Sequence, residues 1–507
     1  MGVFMNYLMG VDLGTTSIKT LIFDERGYIA SKAVKEYSYV IDPLKGTVEL
    51  NIDELWKAFK QSVKAALKNF KFKRSRIIGL AVSDQGDTFV PLDDHFKPLR
   101  KAIAYLDNRS EEESKLIERE VGADKIFKVT GQPHVFPSYP ATKILWIRKN
   151  EPEVFKKTAI YAPIESYLIY KLTGTFVCDY SGATLSLMFD IKRKKWWNEM
   201  LEFLNINETQ LPELKPSGVL IGNVTDLASK ETGLSVETMV STGAHDHAAA
   251  AIGAGNIKPN IVTESTGAVL GLVTTLNEPV YDEKRIIPCN CHAIENKYLL
   301  LLYGKTGGMV LKWFRDEFCQ EEMKKAKLKK VDVYDILVKK ASKIPPGSNN
   351  LIMLPHLMGA GMPENNPKAR GVLFGITLGH GKGHVIRAIM ESIAFMLRRN
   401  IELLKEMGIN VNEIRSIGGG AKSKLWNQIK ADVTRIPVVT LRIEEAASLG
   451  VAMLAGLALK TFKSIDEACK VMIHFKKKYL PNLKNMHIYD KQYQIYINIY
   501  ECLKNLF

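Results

Sequence analysis

Residues 12–19 read Asp-Leu-Gly-Thr-Thr-Ser-Ile-Lys, a spacing suited to holding a phosphate chain. A turn through Gly14 exposes successive backbone N–H groups, and the hydroxyls of Thr15 and Thr16 add donors. Asp12 ends the preceding apolar run, and its hard carboxylate oxygens suit a hydrated Mg²⁺ that bridges phosphates. Lys19 brings a cation just past the turn. Such a stretch also serves as a plain polar hairpin, so it gains meaning only in company. Three further clusters supply it: Ser265-Thr266-Gly267, Gly307-Gly308 and Gly418-Gly419-Gly420. Each alone is a turn using glycine for positive φ. Together, at the ends of apolar runs, they point to a nucleotide site. Neither Gly-x-x-x-x-Gly-Lys nor a strand–helix Gly-x-Gly-x-x-Gly is present, which sets aside the P-loop and the dinucleotide fingerprint.

The elements that must carry these residues follow from periodicity. Residues 7–23 predict two apolar strands joined by the Gly/Thr turn. Residues 47–67 begin extended and become an amphipathic helix with Leu55, Trp56 and Phe59 on one face. Residues 77–82 predict a short buried strand that runs into Ser83-Asp84-Gln85-Gly86-Asp87. Near residue 250 the pattern restarts, and 260–275 is again strand, Ser/Thr/Gly turn, strand. Two such hairpins about 250 residues apart suggest a duplicated two-domain plan. An apolar run at 414–417 leads into the triple glycine and a helix over 424–434, and 445–457 is an Ala/Gly-rich helix suited to tight packing. Strands alternate with helices throughout, so the class is α/β.

Composition narrows the function classes. The chain has 507 residues, ordinary apolar and charged fractions of 46% and 25%, and so is neither disordered nor a disulfide scaffold. The net charge of +15 invites a nucleic-acid reading, but the basic runs at 192–195, 324–330 and 476–478 are scattered and lack interleaved aromatics. A solvated lysine-rich surface is the better reading, and its field would also attract anionic nucleotides. Apolar runs such as 298–303 are too short to span a membrane, and Asp12 precedes any signal-peptide core. Six cysteines in such a chain fit a reduced cytoplasm. No nucleic-acid or membrane partner is expected.

Longer matches identify a family. Residues 138–150, Ser-Tyr-Pro-Ala-Thr-Lys-Ile-Leu-Trp-Ile-Arg-Lys-Asn, fit the N-terminal signature of the FGGY carbohydrate kinases at every constrained position. Gly371-Val372-Leu373-Phe374-Gly375-Ile376, seven residues, then 384–391 fit the C-terminal signature. The opening 9–24 is similar to the family's first phosphate hairpin. The resemblance implies two actin-like ATPase (ribonuclease H-like) domains with mixed β-sheets flanked by helices and an active site in the cleft between them. It assigns 1–254 to an N-terminal domain with sugar site, first phosphate hairpin and catalytic Asp. It assigns 255–507 to a nucleotide-binding domain with a helical tail from about 460. It further implies phosphoryl transfer from ATP with Mg²⁺ to a sugar or polyol hydroxyl.

Residue by residue, the resemblance makes Asp246, in Gly243-Ala244-His245-Asp246-His247-Ala248, the general base. Gly14, Thr15, Thr16 and Lys19 match phosphate contacts on the first hairpin, and Thr266 and Gly267 those on the second. Gly308 and Lys312 match nucleotide contacts, while Gly419, Gly420, Lys424 and Asn427 resemble the adenosine site. Asp12 and Asp246 are the implied magnesium positions, mostly through water. His247 and the loop Gln85-Gly86-Asp87 align with acceptor contacts. Xylulokinases tend to carry Gln-Met-His-Gly in that loop and glycerol kinases Gln-Arg-Glu-Thr; Gln85-Gly86-Asp87-Thr88 matches neither, with Asp87 at the acidic position of the second.

Other features are weighed as follows. His245 and His247 lack the further ligands a zinc site needs, and Cys289-Asn290-Cys291-His292 reads as a buried strand with small thiols. Asp107 and Arg109 resemble the family's W-x-D-x-R element and read as an internal ion pair. The expected activity is an ATP-dependent kinase of a neutral ketose, a pentulose or hexulose in the manner of xylulokinase. A glycerol- or erythritol-like polyol kinase or a gluconokinase are alternatives within the class. A non-catalytic hinge ATPase of the actin/Hsp70 type is the rival outside it, disfavoured by both signatures. A homodimer stays open.

Overall fold

Strands Tyr7–Leu13 and Ser17–Asp24 pair antiparallel with Asp12 opposite Lys19, as the first hairpin's pattern predicts. Ile77–Asp84 adds parallel on the other side of Tyr7–Leu13, and Ile29–Glu36 pairs with Ser17–Asp24. A central strand buried on both faces reads as a continuous apolar run. That is why residues 7–13 alternate so little. The odd-numbered Tyr7, Met9, Val11 and Leu13 pack with Leu55, Trp56 and Phe59 of the helix Ile52–Asn69. This helix starts where Asn51 accepts hydrogen bonds from the Asp53 and Glu54 N–H groups.

The opposite face of that sheet receives the helix Ala446–Ala458. A Cβ on Gly10 would stand 1.9 Å from the Ser448 carbonyl oxygen, so strand and helix backbones touch there. Gly79 meets Ala455 and Leu459 on the same face. The Ala/Gly-rich composition of 445–457 is thus used for backbone-to-backbone approach.

The structure is a computed structural model describing residues 5–507, and contacts group it into two units. The first unit contains residues up to Ile257, together with Thr275–Leu300 and Glu445–His474. The second contains Lys258–Thr274, Leu301–Glu444 and Phe475–Phe507. The units are therefore not the two continuous stretches 1–254 and 255–507. Glycine contacts supply the physical reason: besides Gly10, Gly450 would place a Cβ 1.9 Å from Ala249 O, and Gly131 one 1.9 Å from Cys289 O. No larger residue could hold these late segments so close to the first unit.

The second unit repeats the first unit's pairing. Ile261–Thr266 pairs antiparallel with Leu270–Leu276 and parallel with Glu413–Ile417, which continues parallel to Val438–Leu441. Phe475–Tyr479 closes this side antiparallel to Val438–Leu441. That strand corrects the expectation of a wholly helical tail, which holds for Ile465–Met472 and Leu483–Leu503. The run Lys476-Lys477-Lys478 is exposed on an edge strand, where lysines block further pairing. No described helix is long and apolar enough to cross a membrane.

Candidate functional site

In the first unit the chemistry gathers where Tyr7–Leu13 and Ile77–Asp84 end. Asp246 opens the helix Asp246–Gly253, which lies against Ala446–Ala458. A Cβ on Gly253 would sit 1.9 Å from Ala446 O, so the helix has one seat only. Asp246 Oδ1 has no hydrogen-bond partner among the described residues. His245 Nε2 stands 3.2 Å from it and His247 Nε2 4.0 Å. Burial pushes His245 down to about 4 against the pull of Asp246, so the imidazole beside the carboxylate is neutral near pH 7. A carboxylate with an unpartnered oxygen beside the neutral His245 imidazole can accept a proton from a hydroxyl.

Behind Asp246 lie three buried acids that sequence reasoning left unassigned: Asp84, Glu165 and Asp179. Burial first, and mutual repulsion second, raises Asp84 to about 7 and holds Glu165 well above the usual carboxylate range. Asp179 caps the helix Tyr180–Ala183, accepting from Ser181 N–H at 2.8 Å and from Ser217 Oγ at 2.9 Å. The Ser181 hydroxyl in turn accepts the His245 N–H at 3.0 Å, and Glu165 Oε1 accepts the Gly243 N–H at 3.0 Å. The cluster therefore fixes the chain on the N-terminal side of Asp246. Ser83-Asp84 was visible as a polar cluster; nothing local marked Glu165 or Asp179.

The first hairpin holds its expected residues. Gly14 N–H closes the turn on Ser17 O at 3.1 Å, Tyr37 OH donates to Gly14 O at 2.7 Å, and Thr15 Oγ1 is 2.9 Å from Tyr105 OH. Thr16 is exposed. Asp12 accepts from Ser83 Oγ at 3.0 Å and lies 3.6 Å from Lys19 Nζ. Burial raises its pKa, Lys19 opposes the rise, and Asp246 adds to it. Asp12 and Asp246 are thus near enough to repel each other. Two such carboxylates, one with an unpartnered oxygen, fit a magnesium ion held largely through water.

The acceptor loop departs from a solvated turn. Gly86 has φ +75° and Asp87 φ +57°. Asp87 Oδ1 is buried without a partner, and burial holds its pKa well above the usual range despite Lys143. Asp87 lines a cavity together with the polar Asp84, Tyr161 and Glu165 and the apolar Phe89, Ile144 and Trp196. Lys143 is itself fully buried, donates to Ala104 O at 2.7 Å and Ser138 O at 2.5 Å, and is pushed down to about 7 by burial. Gln85 donates to the Tyr39 hydroxyl, leaving its Oε1 without a partner among the described residues. His247 is about one-third exposed.

In the second unit, the strand-end glycines meet. Gly267 N–H bonds Val269 O at 3.1 Å, and the turn is exposed, with open space where a Gly267 Cβ would lie. The helix Gly308–Phe318 docks on that turn: Gly308 N–H donates to Gly267 O at 2.8 Å, and a Gly308 Cβ would be 2.6 Å from the same oxygen. Gly418, at φ +73°, leads into the short 3-10 turn Gly419–Lys422, where a Gly420 Cβ would press on Thr266 at 2.6 Å. Asn427 is buried, donates to Ala421 O at 2.8 Å, and has an unpartnered Oδ1. Lys424 is exposed, and Lys312 pairs with Asp316 at 2.9 Å on the surface. The Thr266 hydroxyl points away from the exposed turn, donating to Glu264.

Two further expectations meet the structure directly. Arg109 grips Asp107 with two 2.8 Å hydrogen bonds, adds Glu49 at 2.8 Å, and lies 4.9 Å from the Trp146 ring centre, an internal ion pair as read. Cys289–Cys291 is a buried strand whose thiols burial pushes up to about 12 and about 11. Among the described residues, no group of three or more His, Cys, Asp or Glu side chains is arranged to hold a metal ion by itself.

Comparison with known proteins adds the following. Residues 7–253 match the N-terminal domain, and residues 266–459 the C-terminal domain, of the FGGY family of carbohydrate kinases. The chain is 30% identical over 502 residues to a xylulose kinase of Bacillus subtilis, covering 99% of this chain and 98% of that one. It is 31% identical over 503 residues to a gluconokinase of Bacillus licheniformis, covering 99% and 96%. A crystal structure of ligand-bound xylulose kinase from Lactobacillus acidophilus superposes with a TM-score of 0.88 at 26% identity, covering 98% of each chain.

Proposed function

The chain belongs to the FGGY family of carbohydrate kinases, with its two-domain actin-like ATPase fold, and from that premise we propose that it phosphorylates a neutral ketose, a pentulose or hexulose. It is a phosphotransferase that uses ATP and an alcohol acceptor; the acceptor's class is the proposal. The observation that carries it is electrostatic. Burial raises Asp12 and Asp84, and the charge of Asp246 adds to both rises, so the acceptor oxygen approaches a region already rich in acids. A neutral polyhydroxy carbonyl compound enters that field without penalty, whereas an aldonate brings a further negative charge. Asp87, at the acidic position of the glycerol-type loop, lines a cavity and has a buried, unpartnered Oδ1.

In the proposed reaction Asp246 takes the proton of the acceptor hydroxyl as its oxygen attacks the γ-phosphorus in line. Gln85, Gly86 and His247 orient the acceptor, and Asp87 sets the loop's shape from beneath. Gly14, Thr15, Thr16 and Lys19 offer donors and a cation to the transferring phosphoryl group. Thr266, Gly267, Gly308 and Lys312 are the proposed phosphate contacts of the second unit, and Gly419, Gly420, Lys424 and Asn427 its proposed adenosine contacts. Asp12 and Asp246 would hold Mg²⁺ through water; when bound it neutralises charge on the phosphate oxygens. Six thiols without a disulfide fit the cytoplasm, where ATP is available.

A kinase-coupled screen of ketoses, polyols and aldonates at matched concentration tests the proposal. The highest kcat/KM is expected on a ketose. A gluconate-type acid or a polyol turned over more than about tenfold faster would overturn the acceptor class, a margin worth ~1.4 kcal/mol of transition-state binding.

A further inference from the structure

Lys430 lies on the helix Lys424–Thr434 with its side chain wholly buried, and no step of the proposed reaction employs it. Its ammonium donates to Glu264 Oε2 at 2.8 Å, Thr266 Oγ1 at 3.0 Å and Ser416 Oγ at 3.3 Å, which accounts for all three of its protons. Glu264 is equally occupied: Oε2 also accepts the Ser416 hydroxyl at 2.6 Å, and Oε1 accepts the Thr266 hydroxyl. The four side chains come from three elements, the strands Ile261–Thr266 and Glu413–Ile417 and the helix Lys424–Thr434. The first two end in the Thr266-Gly267 turn and the Gly418–Gly420 turn. Gly420 leaves no room for a side chain against Thr266, and a Cβ on Gly418 would lie 3.1 Å from Ser265 Oγ. Whatever moves Thr266 therefore moves both turns.

A fully buried ion pair is weak evidence for stability, because desolvation of both charges offsets their attraction. Its specific use is to fix one geometry. We propose that Lys430 and Glu264 are positioning residues for ATP: they lock the Thr266 side chain and so set the spacing between the two glycine turns that receive the nucleotide. This rests on the nucleotide role proposed above for those turns. The Thr266 hydroxyl then acts inward on Glu264 and leaves the turn backbone to face the phosphates.

The experiment compares the parent with Lys430→Met and with Glu264→Leu/Lys430→Met. The single variant strands a buried carboxylate, so it is expected to lose thermal stability. The double variant removes both charges, and its melting temperature is expected to return close to that of the parent. Its KM for ATP is expected to stay raised by about tenfold or more, the scale of loss for a misplaced binding group, with the acceptor KM unchanged. A double variant that regains both stability and the parental ATP KM would overturn the proposal, because the pair would then be structural only. Equal rises in both KM values would overturn it as well. Hydrogen exchange of the parent with and without ADP tests the underlying premise separately: protection at residues 265–268 and 418–421 is expected. Its absence would remove the nucleotide role from these turns and the proposal with it.

Discussion

Replacing Gly86 by alanine tests whether the proposed acceptor loop and the proposed base are coupled through His245. Two costs are visible in the backbone. At φ +75° an L-residue pays roughly 1–2 kcal/mol for the left-handed conformation. The new Cβ would also lie 2.5 Å from Leu185 Cδ1 and 3.1 Å from His245 Cδ2. The leucine end can turn away. The imidazole is less free, since its backbone N–H is tied to Ser181 and its Nε2 stands 3.2 Å from Asp246 Oδ1. Overpacking of this kind costs about 1–3 kcal/mol beyond the strain. Gly46 is the matched control, with φ +64° and nothing within 4 Å of a Cβ. Urea unfolding should therefore show Gly86→Ala about 1–3 kcal/mol less stable than Gly46→Ala. At a temperature where both are folded, kcat should fall roughly tenfold in Gly86→Ala, a few tenths of an ångström at the base being enough for that. The Gly46→Ala variant should keep the parental kcat. Equal kcat in the two variants would refute the coupling, whatever their stabilities.

Three further outcomes are expected. Asp246→Asn keeps the shape of the base but cannot take a proton, so turnover should drop about 10²–10⁴-fold while calorimetric ATP affinity changes little; a loss under tenfold would remove Asp246 from the role. His292, pushed down to about 4 by burial, resists a proton that the unfolded chain accepts near 6.5. Its contribution to stability is complete above that range and is lost as pH falls through it. His292→Gln should therefore reduce the parent's stability loss between pH 6.5 and 4.5 by about 2 kcal/mol in urea titrations. Arg109→Met leaves Asp107 buried without its cation and should cost about 3–5 kcal/mol in the same assay, with Arg109→Lys recovering part of it.

The hairpins were legible because their strands announce themselves through apolar runs and their turns through Gly and Thr. The proposed base came only from the family resemblance of residues 243–248, since Asp246 between two histidines has no spacing that distinguishes it from a surface acid. Of the cluster Asp84, Glu165 and Asp179, only Asp84 stood in a visible polar run, and its partners were not legible. The cluster's members come from the strand Ile77–Asp84, the helix Ile164–Thr173 and the strand Val177–Asp179, and only the folded chain brings Asp84 to the other two. For Asp87 the loop position was legible, while its φ of +57° and its buried, unpartnered Oδ1 were not. Residues 445–457 advertised tight packing without naming a partner, because alanine and glycine make any close approach feasible. The strand Phe475–Tyr479 was hidden by its three lysines, which read as a charged surface run.

The helix Ala446–Ala458 has a consequence during synthesis. The strand Tyr7–Leu13 and the helix of Asp246 leave the ribosome long before the segment that covers them, for residues 258 to 444 intervene. At about 5–20 residues per second that interval lasts on the order of 10–40 s. Throughout it, the face bearing Leu8, Gly10 and Gly79 lacks its permanent neighbour, and Asp246 lacks its single seat. The nascent chain must therefore wait, partly assembled, for its own C-terminal region. A stalled or truncated product ending before residue 445 would carry both glycine turns of the second unit yet present an uncovered apolar sheet, the surface that chaperones bind and that aggregation begins from.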